Sequence, residues 1–356
     1  MEGGQVDPNV FKGLDNITYL ALGSNNLIRV PTSALRHVGQ LVYLDLSGNE
    51  LTTLESGDFD NMTNVQELDL SANKLTTVSR EALANMSSLR SLVLSDNPIV
   101  YVGPDAFGPQ LTEVKLQDTK LRIIDGAAFN SSPQVNRLTL SNNHLQYLPE
   151  TVFQPLTSYK DYETLELAGN PWVCDCQLAG FAAWLKTPNV SAIPEFHCIS
   201  PPALEGRVVR DLATNQLNCS CGAEEIPRID TGGSTTEVPI GERALLRCKV
   251  NACPDAAVLW TAARGLFLTS QSEFPDMYVQ ADGTLVIPVV TPGDAGRYTC
   301  MAVNAFGTAE AGVVLNVTAR QPLTTPPTGQ AVGIHTTDRF ISIFTTVLMF
   351  LIAFMK

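Results

Sequence analysis

The 356-residue sequence is poor in basic residues, with 23 lysines and arginines against 36 aspartates and glutamates and a formal net charge of -13. A nucleic-acid-binding protein needs a basic surface to neutralise phosphates, so this deficit argues against that class. A partner that is itself basic or of mixed charge is easier to accommodate.

The chain also has little of what catalysis requires. Its four histidines show no metal-ligand spacing, and the sequence lacks a nucleophile motif, a glycine-rich phosphate loop and a zinc-protease motif. We therefore expect no enzyme activity, no cofactor and no metal site. The histidines are His37, His144, His197 and His335.

No cysteine precedes Cys174, and all eight lie between Cys174 and Cys300. An even number in a confined stretch favours disulfides and an oxidising compartment. The first sixteen residues lack the basic and apolar regions of a signal peptide, so we expect a truncated amino end. Seven N-glycosylation sequons also favour the secretory route: Asn16, Asn61, Asn85, Asn130, Asn189, Asn218 and Asn316.

A repeat, L-x-x-L-x-L-x-x-N-x-L, recurs mostly every 24 residues. It predicts an α/β leucine-rich-repeat solenoid over residues 1–169, mostly β with short parallel strands, in which each repeat closes its core by stacking on its neighbours. We expect about seven repeats and no amino-terminal cap. The copies begin at Ile17, Leu41, Val65, Leu89, Leu111, Val135 and Tyr162.

Alternate residues of each strand should point outward and line the concave face of the solenoid. Acidic residues dominate its first half, where they flank two tyrosines, so we predict a hot spot for a basic partner. The alternative is that these charges are merely solvated and discourage aggregation. The candidate partner-binding residues are Tyr19, Tyr43, Asp45, Glu67, Asp69, Glu113, Lys115 and Arg137.

Residues 170–221 carry closely spaced cysteines and tryptophans. The run from Asn170 to Cys176, with Cys198 and Cys219 downstream, resembles the cysteine-rich carboxy-terminal cap of extracellular leucine-rich-repeat proteins. That resemblance implies the pairs Cys174–Cys198 and Cys176–Cys219, whereas four cysteines alone permit three connectivities. A zinc site is the alternative.

Residues 222–318 change to short alternating strands separated by turns, which predicts an all-β sandwich. Cys248, Trp260 and the motif Asp294-x-Gly-x-Tyr298-x-Cys300 resemble an immunoglobulin domain of the intermediate type, the I-set. The resemblance implies that Cys248 and Cys300 bridge the sheets over Trp260, and that Tyr298 forms a tyrosine corner.

Two cysteines remain, Cys221 and Cys253. We hypothesise that they bond to each other and stiffen the junction between the cap and the sandwich. The alternative is a pair of free or intermolecular thiols.

The carboxy-terminal region has two parts. Residues 319–339 are rich in Thr and Pro and predict an extended stalk. Residues 340–356 are apolar, with a charge only at the last position. They fit either a short transmembrane helix or a signal for attachment of a GPI anchor.

Taken in order, the repeats, cap, single immunoglobulin domain, stalk and tail resemble leucine-rich-repeat and immunoglobulin surface proteins such as the netrin-G ligands and the amphoterin-induced adhesion proteins. The resemblance implies a cell-surface recognition or adhesion protein facing the extracellular space, with a protein ligand or a homophilic dimer as partner. The alternative is a matrix or immune pattern receptor that binds glycans or microbial surfaces.

Overall fold

The computed structural model describes residues 6–156, 164–187, 195–219, 225–263, 265–270, 272 and 274–319. The predicted tail at 340–356 and nearly all of the predicted stalk lie outside these residues, as do Asn189 and Cys221. Among the described residues, no helix combines the length and the hydropathy that a bilayer crossing requires.

The amino-terminal region is a solenoid, as the repeat predicted. Seven of its strands form one parallel sheet in the order β1-β2-β3-β4-β6-β8-β9, and β5 pairs with β7 on the returning side. The strands are β1 (Tyr19–Ala21), β2 (Tyr43–Asp45), β3 (Glu67–Asp69), β4 (Ser91–Val93), β5 (Tyr101–Val102), β6 (Glu113–Lys115), β7 (Ile123–Ile124), β8 (Arg137–Thr139) and β9 (Thr164–Glu166).

The core of the solenoid lies between this sheet and the returning segments. Leu44 and Leu68 point inward from the middle of β2 and β3, and Phe107 stacks on Phe129 with ring centroids 5.0 Å apart. The returns contain two short helices, α1 (Thr32–Leu35) and α2 (Arg80–Leu83), and otherwise irregular chain and 3-10 turns. No coil could bury its apolar side alone, so stacking supplies the stability.

A ladder of buried asparagines holds successive coils together. The Asn49 amide donates to the carbonyls of Leu22 and Leu46 at 3.0 and 2.9 Å, and its oxygen accepts from the Leu27 N–H at 3.0 Å. Each bond satisfies a backbone group that would otherwise be buried without a partner. The same inward position is taken by Asn73, Asn97, Asn143 and Asn170.

The carboxy-terminal cap closes the stack with aromatic packing and two disulfides. The disulfides are Cys174–Cys198 and Cys176–Cys219, the pairing that the resemblance implied. Since each sulfur is bonded to another sulfur, none is left as a thiolate for the alternative zinc site. Helix α3 (Ala179–Trp184) places Trp184 against Phe153 of the last coils, with centroids 4.3 Å apart.

The second domain is a β-sandwich. Its two larger sheets have the orders β11-β19-β18-β14-β15 and β12-β17-β16, and β10 pairs with β13. The strands are β10 (Glu225–Asp230), β11 (Glu237–Pro239), β12 (Ala244–Leu246), β13 (Lys249–Cys253), β14 (Ala257–Thr261), β15 (Phe267–Leu268), β16 (Tyr278–Val279), β17 (Leu285–Ile287), β18 (Gly296–Asn304) and β19 (Gly307–Thr318).

The centre of the sandwich has the arrangement that the cysteine and tryptophan spacing implied. A disulfide joins Cys248 to Cys300, and the buried Trp260 donates its indole N–H to the Gly283 carbonyl at 2.8 Å. The Tyr298 hydroxyl donates to the Asp294 carbonyl at 2.9 Å, which is a tyrosine corner.

Cys253 is disulfide-bonded. The pair Cys221–Cys253 stays a prediction, because Cys221 lies outside the described residues.

Candidate recognition surface

The first two strands of the concave face carry a stacked tyrosine pair. Tyr19 and Tyr43 are register neighbours, and their rings lie 4.6 Å apart at an interplanar angle of 3°. Tyr19 is 60% exposed, because β1 is the edge strand of the sheet. An aromatic surface of this kind suits apolar contact and cation–π contact with a partner.

Three carboxylates follow this pair on the next strands. Asp45 is the register neighbour of Asp69, and Glu67 is the register neighbour of Tyr43. One oxygen of each aspartate accepts a hydrogen bond from the backbone N–H two residues further on, at 2.8 Å, which fixes the side chain. No basic group lies within ion-pair distance of the three carboxylates in the described part of the chain.

The carboxylates make this half of the concave face electronegative. The pKa of Tyr43 is raised, first by burial and then by the negative charges of Asp45 and Asp69. We call the five residues Tyr19, Tyr43, Asp45, Glu67 and Asp69 the acidic patch.

On β6 and β8 of the concave face, acidic and basic side chains pair with one another. Arg137 lies 3.2 Å from Glu113 and Lys115 lies 3.6 Å from it, while the Ser91 hydroxyl donates to Glu113 at 2.7 Å. Burial alone would raise the pKa of Glu113, but these bonds and the two cations lower it overall. The structure therefore brings the predicted residues together in two groups: the acidic patch, and a group on β6 and β8 in which two cations share one carboxylate.

The sequon asparagines lie off the concave strands. None of the six described sequon asparagines lies on β1 to β4, β6, β8 or β9, and all six are exposed. Asn61 and Asn85 occupy the same point of two successive coils, just before the chain turns into the next strand. The six are Asn16, Asn61, Asn85, Asn130, Asn218 and Asn316.

The immunoglobulin domain packs against one flank of the solenoid, a contact that the sequence analysis did not predict. Both regions belong to one compact unit. A separate apolar cluster joins them, formed by Val100, Tyr101 and Ile123 of the repeats with Leu259, Met301 and Val303 of β14 and β18. All six side chains are buried. We call this contact the flank interface.

Polar contacts accompany the apolar cluster. The buried Tyr147 hydroxyl donates to the Val303 carbonyl at 3.0 Å, and the Ala305 N–H donates to the Gln177 side-chain oxygen at 3.2 Å. At the end of the interface that is farther from the cap, the ring of Phe267 stacks on the ring of Tyr101. The Phe267 N–H also donates to the Thr76 hydroxyl at 3.5 Å, so the flank interface reaches from the third repeat to the cap.

Two sequence signals could have revealed the flank interface. The residue four positions after the asparagine of the repeat pattern, or after Thr119 in the fifth repeat, is polar in the first three repeats. In the next three repeats it is large and apolar or aromatic. In order, these residues are Arg29, Thr53, Thr77, Tyr101, Ile123 and Tyr147. In addition, β14 and β18 are apolar on both faces, which is typical of a strand that is covered on both sides.

Two family models match the chain. The model described as Leucine rich repeat matches residues 4–51, 39–99 and 109–171, and the model described as Immunoglobulin I-set domain matches residues 227–317. The matches coincide with the solenoid and the sandwich of the structure.

Curated relatives match through the same regions. Leucine-rich repeat and fibronectin type-III domain-containing protein 3 of Homo sapiens is 34% identical over 156 residues, which are 43% of this chain and 22% of that protein. Leucine-rich repeat and fibronectin type-III domain-containing protein 4 of Mus musculus is 30% identical over 243 residues, which are 60% of this chain and 36% of that protein. Leucine-rich repeat-containing protein 4C of Homo sapiens is 34% identical over 152 residues, which are 42% of this chain and 23% of that protein. The chain thus spans well under half the length of these relatives.

Proposed function

We propose that this chain, which joins leucine-rich repeats to an immunoglobulin I-set domain, is a cell-surface recognition protein that binds another protein through the acidic patch. The observation that carries the proposal is the set of three carboxylates that have no ion-pair partner among the described residues and lie beside a tyrosine stack. Tyrosine supplies contact area at low entropic cost, and charge complementarity speeds the encounter with a basic partner.

The location proposed for the protein is the outer surface of the plasma membrane. Its disulfides and its exposed sequon asparagines support passage through the secretory pathway. Attachment through residues 340–356, by a short transmembrane helix or by a GPI anchor, is part of the proposal.

The alternative role as a receptor for glycans or microbial surfaces has less support. A glycan-binding face favours aromatic side chains along several strands, and on the concave strands the only aromatic side chains among the outward residues are Tyr19 and Tyr43. A basic protein surface fits the patch better, because it also uses the carboxylates.

The test is a binding screen with the full chain displayed on cells behind an added signal peptide. A panel of purified extracellular protein domains is applied to cells bearing the wild type or the triple variant Asp45→Lys, Glu67→Lys and Asp69→Lys. We expect the variant to bind its partner at least about 10-fold more weakly, because three attractive charges become repulsive.

The control is a variant with the same change in net charge at exposed acids away from the acidic patch: Glu81→Lys, Glu205→Lys and Asp211→Lys. It should bind within about 2-fold of the wild type, since isolated surface charges contribute little. Partner binding that survives reversal of the acidic patch would contradict the proposal.

A further inference from the structure

A cleft opens at the end of the flank interface that is farther from the cap, where the second, third and fourth repeats meet the immunoglobulin domain. Its volume is about 410 Å³, which is within the range of natural ligand sites. None of the described residues that line it belongs to the strands of the concave sheet. We call it the junction cleft, and its lining includes Leu54, Glu55, Val78, Glu81, Tyr101 and Phe267.

The apolar part of the junction cleft is held in place by the fold. Leu54 and Val78 stand at the same position of successive coils, and both belong to the buried core of the solenoid. The ring of Tyr101, fixed in the flank interface, continues this surface and stacks on the ring of Phe267. A ligand would therefore meet a surface that is already formed, which lowers the entropic cost of binding.

The charged side chains in the described lining are all acidic. Glu55 and Glu81 are exposed. Glu55 has only a solvent-exposed pair with Arg29, at 3.6 Å, and Glu81 has no ion pair in the part of the chain that the structure describes. Among the described lining residues there is no lysine, arginine or histidine. Arg264, which precedes Gly265 in the sequence, lies outside the described residues.

Other acids add to the negative potential at this end of the flank interface. The pKa of Tyr101 is raised, first by burial and then by the negative charges of Asp125 and Glu310. Asp125 belongs to the repeats and Glu310 to β19 of the immunoglobulin domain, so both domains contribute to this potential.

We propose that the junction cleft is a second recognition site, which takes the side chain of an arginine or a lysine from an extended segment of a partner protein. The alkyl part of such a side chain packs against Leu54 and Val78, while its cationic head is attracted by Glu55 and Glu81. The exposed part of an aromatic ring adds a cation–π contact.

A protein segment suits the junction cleft better than a free amine. The volume of the cleft exceeds that of a single side chain, so residues on either side of the basic one can occupy the remainder. The hydroxyl groups of Thr53 and Thr77, which also line the cleft, can accept hydrogen bonds from the backbone of the segment. The site shares no residue with the acidic patch, and it does not depend on the partner of that patch.

The test begins with a library of short random peptides on phage, selected on cells that display the full chain behind an added signal peptide. The displayed chain carries Asp45→Lys, Glu67→Lys and Asp69→Lys, so that the acidic patch cannot retain basic peptides. We expect the enriched peptides to share an arginine or a lysine beside an apolar residue. Synthetic fluorescent copies of these peptides are then titrated on the cells.

Reversing the charge of the junction cleft supplies the decisive measurement. Adding Glu55→Lys and Glu81→Lys to the displayed chain should weaken peptide binding at least about 10-fold. Replacing the basic residue of the peptide by glutamine should cause a similar loss, and the two changes together should cost less than their sum, because they remove the same interaction. Both glutamates are exposed, so the variant should melt within about 2 °C of its parent.

The matched control is Glu205→Lys with Asp211→Lys, two exposed acids of the cap. It should bind the peptides within about 2-fold of the parent chain. Glu81→Lys also stands in the control for the acidic patch, whose readout is the partner of that patch. That control variant should keep the partner of the patch and bind the cleft peptides more weakly, which separates the two sites.

Arg264→Ala distinguishes a cation of the partner from a cation of the same chain. Peptides should bind the parent chain, and they should bind the Arg264→Ala variant no less tightly. Peptides that bind only after Arg264→Ala would overturn the inference, since the cleft would then belong to the chain's own arginine.

Three further results would overturn the inference: a library that yields no enriched peptide, enriched peptides without a basic residue, or basic peptides that bind the Glu55→Lys, Glu81→Lys chain as tightly as its parent. None of these results bears on the acidic patch, because the panel of extracellular domains tests that patch with its own variant.

Discussion

The ring of Tyr101 in the fourth repeat stacks on the ring of Phe267 in the immunoglobulin domain, with centroids 5.5 Å apart and an interplanar angle of 29°. The two residues lie in different domains and far apart in the sequence. Their contact holds one sheet of the sandwich against the flank of the repeats, and it covers the outer side of β14 and β18.

The first prediction concerns the flank interface. Replacing Tyr101 and Ile123 by Thr gives the fourth and fifth repeats the residue that the second and third have at this position, Thr53 and Thr77. We expect the immunoglobulin domain to be released, because the double change removes roughly 3 to 6 kcal/mol of apolar packing. Small-angle scattering should show a larger radius of gyration, and calorimetry should show two unfolding transitions in place of one.

The control for this prediction is Thr53→Ser together with Thr77→Ser, a mild change at the same position of repeats that lie outside the apolar cluster. It should leave the scattering curve unchanged. A Tyr101→Thr, Ile123→Thr chain that stays as compact as the wild type would show that the two domains are held together by other contacts.

The second prediction concerns the break in the asparagine ladder. Asparagine oxygens accept from the N–H groups of Leu27, Leu51, Leu75, Leu121 and Leu145. Among the described residues, the buried Ile99 N–H has no such acceptor, because Thr119 stands where an asparagine would supply it. Thr119→Asn should therefore add about 1 kcal/mol of stability and raise the melting temperature by about 2 to 4 °C.

Thr119→Val serves as the matched comparison for the ladder. It keeps the shape of the side chain and removes the hydroxyl that donates to the Asn143 side-chain oxygen and lies near the Leu116 carbonyl, so the melting temperature should fall. If Thr119→Asn melts at or below the wild-type temperature, the ladder position does not limit stability.

The third prediction concerns pH. The pKa of Glu113 is lowered in the folded chain, because its hydrogen bonds and neighbouring cations outweigh the effect of burial. A carboxyl group with a lowered pKa stabilises the fold above its unfolded-state pKa, and this stabilisation is lost as the pH falls through the folded-state value. We expect melting temperatures to fall below about pH 4, and Glu113→Gln to make that fall shallower.

Ser91→Ala tests the cause of the lowered pKa, since it removes one of the hydrogen bonds to Glu113. It should give an acid dependence between those of the wild type and Glu113→Gln. Identical melting curves against pH for all three proteins would contradict the assignment.

The fourth prediction concerns the tyrosine stack in the acidic patch. Tyr19→Ala should weaken partner binding about 10-fold, because it removes the exposed ring that contacts the partner. Tyr19→Phe should bind within about 2-fold of the wild type if the ring face is what matters. Titration of the partner on displayed cells measures both values.

Stability separates a binding role for Tyr19 from a structural one. Tyr19 is 60% exposed, so Tyr19→Ala should change the melting temperature by less than about 2 °C. A large loss of stability with unchanged binding would mean that the ring supports the edge strand and does not contact the partner.

Much of the fold could be predicted from the sequence. The 24-residue repeat predicted every strand of the concave sheet, because leucines at fixed spacing must meet when coils stack. The repeat also places an asparagine at a fixed point after each strand, where a tight turn leaves backbone groups that an amide can satisfy. The cysteine and tryptophan spacing identified the sandwich and its core by resemblance.

The candidate site was predictable only in part. Alternation along the strands identified which residues point outward, and all eight candidates lie on the concave strands. It could not show that Glu113 is paired with Arg137 and Lys115, while Asp45, Glu67 and Asp69 have no ion-pair partner in the described part of the chain. Side-chain pairing between strands depends on rotamers and on distances of a few ångströms, which a pattern does not contain.

The sequence by itself determined the stacked coils, the sandwich and the residues that each coil presents, because all of these depend on local spacing. Only the tertiary structure decided that Tyr101, Ile123 and Tyr147 are covered by the immunoglobulin domain, and that β14 and β18 are the strands that cover them. An apolar residue on a flank shows that something covers it, but the covering strands lie more than a hundred residues away, and only the folded chain brings the two surfaces together.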